Sequence, residues 1–170
     1  MKANWTVVVI YASAEARELA VDFCDRLVKR FWTRCGFDVS WWSFELLHDG
    51  IASHEAANRT ASADLLVFSR GAQVTMPDHV LLWMESWLSL RGAREGVLVS
   101  VPPGPAPAAE PIDHQLRKLA HRAGMDYLTE VPQNLGLAVE ESPDFYSARA
   151  QEVTHVLSDI LRRPPPTPLL

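Results

Sequence analysis

Four short apolar runs, WTVVVIYAS at 5–13, FDVSWWSF at 37–44, ADLLVFS at 63–69 and EGVLVSV at 95–101, are separated by stretches of helical period. Strands that alternate with helix-length segments cannot be joined by tight hairpins. They lie parallel, and the crossover helices cover both faces of the sheet. The runs therefore predict an α/β three-layer sandwich. With 170 residues, 48% of them apolar, the chain has enough hydrophobic surface for one core. A single α/β domain over residues 1–162 is expected, followed by a proline-rich tail over 163–170.

Between the runs the helices can be placed by periodicity and caps. Ser13 is positioned as an N-cap, and from Ala14 to Trp32 the residues Ala16, Leu19, Ala20, Phe23, Leu27 and Phe31 form one stripe. Asp22 and Arg26, like Asp25 and Lys29, stand at i,i+4 on the opposite face. Gly36 turns the chain into FDVSWWSF, which is apolar on both faces and is therefore expected to be covered on both. Residues 51–61 are Ala-rich and helix-compatible. A further helix runs from about Asp78, after Pro77, to Leu90, with Val80, Trp83, Met84, Trp87 and Leu88 on one face. The prolines of PPGPAPAAEP at 102–111 make a stiff loop. A short helix over 112–123 stops at Gly124, MDYL at 125–128 makes a fifth strand, and residues 129–142 read as loop. Ser142-Pro143 caps a last helix reaching about Leu161.

Five strands and five helices in alternation give a five-stranded parallel sheet, and the flavodoxin-like order 2-1-3-4-5 is the expected topology. Ligands of such sheets sit at the carboxyl ends of the strands, where the order reverses. That rule nominates Tyr11, Ala12 and Ser13, then Ser43 to Glu45, then Ser69 and Arg70, as the rim of any cleft.

Several chemistries are excluded at this rim. A phosphoryl-accepting receiver needs carboxylates after the first and third strands, where this chain has Tyr11-Ala12-Ser13 and Ser69-Arg70. Ser13 alone is not a flavin phosphate loop, and the GxGxxG and GxxxxGK[ST] patterns are missing, so no cofactor is expected. His48, Asp49, His54 and Glu55 fall close together but match no standard ligand spacing, and no metal is expected. Ser69-Arg70-Gly71 lacks the glycine-flanked setting of a nucleophilic serine. Sixteen basic against twenty-one acidic side chains give a net charge of −5. That balance disfavours nucleic acid or an anionic membrane as partner. No apolar run is long enough to span a bilayer, MKANW leaves no room for a signal sequence, and a cytoplasmic location is expected. Cys24 and Cys35 read as reduced packing thiols.

The order of VVVIYAS, the helix EARELAVDFCDRL, GFDVSWWSFELLHDG and IASHEAANRTASADLLVFS resembles the front half of TIR and SEFIR-like signalling domains over residues 5–90. The chain is also similar to short stand-alone bacterial proteins. The resemblance implies one of two activities. The first, taken here as the leading expectation, is noncatalytic binding or signalling through the loop after the second strand, with a protein or a second copy of the chain as partner. The alternative is an N-glycosidic hydrolase or transferase acting on NAD or a nucleoside. There Glu85, the acid of WMESW, would be the catalytic carboxylate and Ser13, Ser69 and Arg70 would line the pocket. Trp83 and Trp87, one turn apart, are core residues if buried and an interface if exposed.

Overall fold

The computed structural model describes residues 3–92, 94–103 and 111–129. The expected last helix from Ser142, the tail over 163–170 and the interior of the proline-rich loop lie outside the described residues. In chain order the elements are β1 (Ala3–Tyr11), α1 (Ala14–Phe31), β2 (Cys35–Ser43), a 3-10 turn (Glu45–His48), α2 (Gly50–Ala61), β3 (Leu65–Ser69), α3 (Asp78–Arg91), β4 (Val97–Val101), α4 (Pro111–Ala123) and β5 (Asp126–Thr129). The strands form one parallel sheet in the order β2-β1-β3-β4-β5, which is the flavodoxin-like order.

Local chemistry explains the first crossover. Ser13 is extended, its Oγ accepts from the Ala16 N–H at 3.1 Å, and α1 starts there. The stripe of Ala16, Ala20, Phe23, Leu27 and Phe31 is buried, joined by Cys24. Outside it, Asp22–Arg26 and Asp25–Lys29 pair at 3.5 and 2.9 Å.

Alternation then divides every central strand between two apolar layers. Val7, Val9, Leu65, Val67, Val97 and Val99 pack on the α1 side with Phe23 and Leu27. On the other side Val8, Ile10, Leu66, Phe68 and Leu98 meet Trp83 and Trp87 of α3 and Leu116 of α4. All five residues of β3 and all five of β4 are buried.

β2 departs from expectation. FDVSWWSF is apolar on both faces but only partly covered on each: β2 is the edge strand, and every residue in it except the exposed Asp38 is half-buried. Trp41, Phe37 and Val39 lean on the α1 layer and Trp42 on the other.

At the amino end of the sheet a buried cation ties the layers together. Arg91, the last residue of α3, donates through Nη1 to the Thr60 and Ala63 carbonyls at 3.0 and 2.9 Å, through Nε to the Arg94 carbonyl, and through Nη2 to the Glu95 carbonyl. Burial pushes the guanidinium down to about 10.

Candidate functional site

The register of β1 with its two neighbours sets the carboxyl-end rim, because Tyr11 lies beside both Ser43 and Ser69. Tyr11, Ser13, Ser43 and Ser69 are thus brought together as the switch-point rule requires. The hydroxyls of the three serines, however, bond to the backbone. Ser69 is wholly buried and its Oγ donates to the Ala16 carbonyl of α1 at 2.6 Å. The Ala12 N–H donates to the Ser69 carbonyl at 3.0 Å, and the Ser13 carbonyl accepts from the Arg17 N–H at 2.9 Å. Ser43 Oγ accepts from the Leu46 N–H at 3.0 Å and so starts the 3-10 turn, on which Glu45 is exposed.

Arg70 is not a rim cation. Its side chain is buried, donating through Nη1 to the Gln73 carbonyl at 3.0 Å, and its Nε lies 3.5 Å from Asp113 Oδ1 in the first turn of α4. It therefore knits the loop after β3 to α4. Sequence order could not reveal this, because Asp113 is 43 positions away across a loop of uninformative proline content.

Glu85 does not join the rim. It lies half-way along α3 on an exposed flank, with its carboxylate held in a two-pronged pair by Arg122 of α4, Nη2 to Oε2 at 2.8 Å. The Arg122 hydrogen bond holds the carboxyl below its ordinary value. A glycosidic carboxylate must stand beside an oxocarbenium ion in a site that excludes water. A solvated, cation-capped glutamate away from the strand ends is not placed to do that, and the geometry removes the ground for the catalytic role. Trp83 and Trp87 offer no interface either: they are 2% and 0% exposed, with their rings 6.0 Å apart and Trp83 Nε1 donating to the Ser53 carbonyl at 3.0 Å.

One contact at this end of the sheet had no sequence signal. His48, closing the 3-10 turn, stacks on His79 in the first turn of α3, ring centroids 3.5 Å apart. A carbonyl only accepts, so His79 donates from Nε2 to the Phe44 carbonyl at 2.7 Å. The segment after β2 is thereby pinned to α3. Asp49 caps α2 through the Ala52 N–H at 3.2 Å. Among the described residues, no group of three or more His, Cys, Asp or Glu side chains could hold a metal ion.

Comparison with known proteins supports the fold and goes no further. No protein-family model matches the chain, and no curated protein matches it. It is similar to an oxidoreductase structure from Corynebacterium diphtheriae, at 13% identity and a TM-score of 0.57, over 95% of this chain and 94% of that one. A flavo di-iron protein mutant from Thermotoga maritima matches at 15% identity and a TM-score of 0.50, over 92% of this chain. The chain spans only about a third of that protein, 36%. A reduced flavodoxin from Megasphaera elsdenii matches at 14% identity and a TM-score of 0.48, covering 92% of this chain and 98% of that one.

A flavodoxin-like fold raises the question of a flavin, and the residues present do not fit one. Only Ala12 and Ser13 separate β1 from α1, and the donors and acceptors named above tie both to β3 and to the first turn of the helix. Gly71, at a φ of 55°, folds the following loop onto this turn so closely that a Cβ there would lie 3.1 Å from Ser13 Oγ and 3.3 Å from the Ala16 Cβ. The place where a phosphate would be cradled is filled by the protein's own loop. No described helix is long and apolar enough to cross a membrane.

Proposed function

We propose that this chain is a noncatalytic binding or signalling module, working in the cytoplasm and TIR-like in using β2 and the segment after it as its contact region. One contrast carries the reading. At the switch point Ser69 and Arg70 turn inward, the first onto the Ala16 carbonyl and the second onto the Gln73 carbonyl and Asp113, while the Ser13 and Ser43 hydroxyls accept from the backbone N–H groups of Ala16 and Leu46. The segment after β2 turns apolar residues outward, with Leu46 43% and Ile51 81% exposed beside the His48–His79 stack. Apolar side chains held out on a pinned segment suit a protein partner better than a small substrate.

The test is incubation of concentrated protein with NAD, a panel of nucleosides and FMN. Free base is followed by chromatography and flavin by fluorescence quenching. The reading expects no base released and no flavin retained; release that scales with protein, or flavin that co-elutes with it, overturns it.

A further inference from the structure

We propose that β2 is an association edge for a second copy of this chain, pairing antiparallel across a two-fold axis at Val39 to make one continuous sheet. This rests on the association reading above and names its partner.

The pairing of β2 with β1 fixes which of its backbone groups face outward. The Phe44 N–H donates to the Tyr11 carbonyl at 2.8 Å, and Tyr11 lies beside Ser43. Backbone groups alternate along a strand, so the even-numbered residues of β2 direct their N–H and C=O groups at β1. Those of Phe37, Val39 and Trp41 point outward, and among the described residues no strand lies on that side. A nine-residue, aromatic-rich edge of this kind is a template for another strand.

Self-pairing about a two-fold axis keeps each side chain on its own face of the sheet, so facing residues must share parity, and only a few registers remain. With the axis at Asp38, two aspartates would stand directly opposite, which is destabilising. With the axis at Ser40, only residues 37–43 pair and Asp38 faces an indole. With the axis at Val39, the midpoint of Cys35–Ser43, the whole strand pairs. Val39 then exchanges both backbone bonds with the partner's Val39, and Phe37 does so with the partner's Trp41.

The side chains suit this register on both faces. On the α1 face Phe37 meets the partner's Trp41, a favourable cross-strand aromatic pair, and Arg17 already lies over the Trp41 ring at 5.2 Å. On the α2 face Arg59 holds Asp38 through Oδ2, leaving Oδ1 to accept from the hydroxyl of the partner's Ser40. Ser40 Oγ accepts from Trp42 Nε1 at 3.1 Å, so its own hydrogen is free to donate. Gly36, which has no side chain, faces the partner's Trp42, the arrangement in which an aromatic ring shelters a strand glycine.

The test exploits the fact that residue 39 would face itself. In sedimentation velocity over a concentration series the parent chain is expected to dimerise. Val39→Lys alone and Val39→Glu alone are expected to stay monomeric with unchanged circular dichroism, and an equimolar mixture of the two to recover the dimer. Ser40→Asp, a milder change at a half-exposed position, should weaken the dimer at least tenfold, and Ser40→Lys, facing Asp38, should tighten it. A parent chain that is monomeric throughout overturns the proposal, as does a dimer indifferent to all four substitutions. In either case, continued inertness toward NAD, nucleosides and FMN leaves the association reading standing with another partner, whereas base release removes that reading itself.

Discussion

β3 and β2 are both written in apolar residues, LLVFS and CGFDVSWWS, yet they occupy opposite situations in the same sheet. β3 is central, with all of its residues buried between α1 on one side and α3 on the other. β2 is an edge, half-covered along almost its whole length, with aromatic side chains on both faces. Apolar composition is therefore needed for the core in one case and is in excess of it in the other. An excess of this kind on an edge is a hazard that proteins ordinarily blunt with charge, proline or a short strand. β2 is long, has no proline and carries a single acid, so none of these devices blunts it, and the proposed pairing with a second copy would cover it.

The sharpest way to break this contrast is to truncate one aromatic in each strand. Phe68→Ala, in the heart of β3, should lower unfolding free energy by about 3–5 kcal/mol in urea titration, from lost transfer energy and the cavity left behind. Phe37→Ala, measured on dilute protein, should lower it by about 1 kcal/mol, because the ring is half in water already. Equal losses would show that β2 is as much core as β3.

Arg91 sharpens the same contrast from beneath the central strands, where it holds the segments leading into β3 and β4. Arg91→Met keeps the apolar stem but leaves buried carbonyls without donors, and a loss of about 2–3 kcal/mol is expected by the same titration. A neutral result would mean that water replaces the guanidinium and that this end of the sheet is open.

The two cysteines sample the two regions directly. Burial pushes the Cys24 thiol up to about 12, whereas Cys35 begins the edge strand and is only half-buried. At pH 8 an alkylating reagent should modify Cys24 in the native protein about a thousandfold more slowly than a free thiol, and equally fast in urea. The unfolded thiol ionises near its ordinary 9.0 and the folded one not until about 12, so the unfolded state gains from ionisation as pH rises across that window and stability falls there. Rapid native labelling of Cys24 would place the α1 layer among the opening parts of the fold.

The smallest effect belongs to Glu85. Glu85→Gln removes a solvated ion pair on the flank, so thermal melts at pH 7 should match the parent within replicate scatter, and base release from NAD should be nil for both. Since Arg122 lowers this carboxyl, whatever the pair contributes is present above the ordinary carboxylate range and fades as pH falls through the lowered value.

Periodicity and caps were enough to read the strand alternation, the α1 stripe and the Ser13 cap, because each depends on residues a few positions apart. The 2-1-3-4-5 order followed from the rules of parallel sheets. What the sequence could not convey was which groups meet across long separations. Ser69 gives its hydroxyl to Ala16, Arg70 turns to Asp113, and His48 finds His79 only when the sheet is assembled. The rim positions are thus legible, whereas the bonds that Ser69 and Arg70 make within the fold are not. FDVSWWSF is covered on each face only in part, and apolarity on both faces does not distinguish a central strand from an edge strand.

Residue-resolved amide hydrogen exchange on the parent chain at several concentrations distinguishes a bare β2 edge from a paired one. The amides of Asp38, Ser40 and Trp42, which face β1, should be protected at every concentration. Those of Phe37, Val39 and Trp41 should exchange fast in dilute protein and become protected as concentration rises. Outward amides that stay fast at all concentrations, or that are already protected in the dilute monomer, would contradict the proposed pairing.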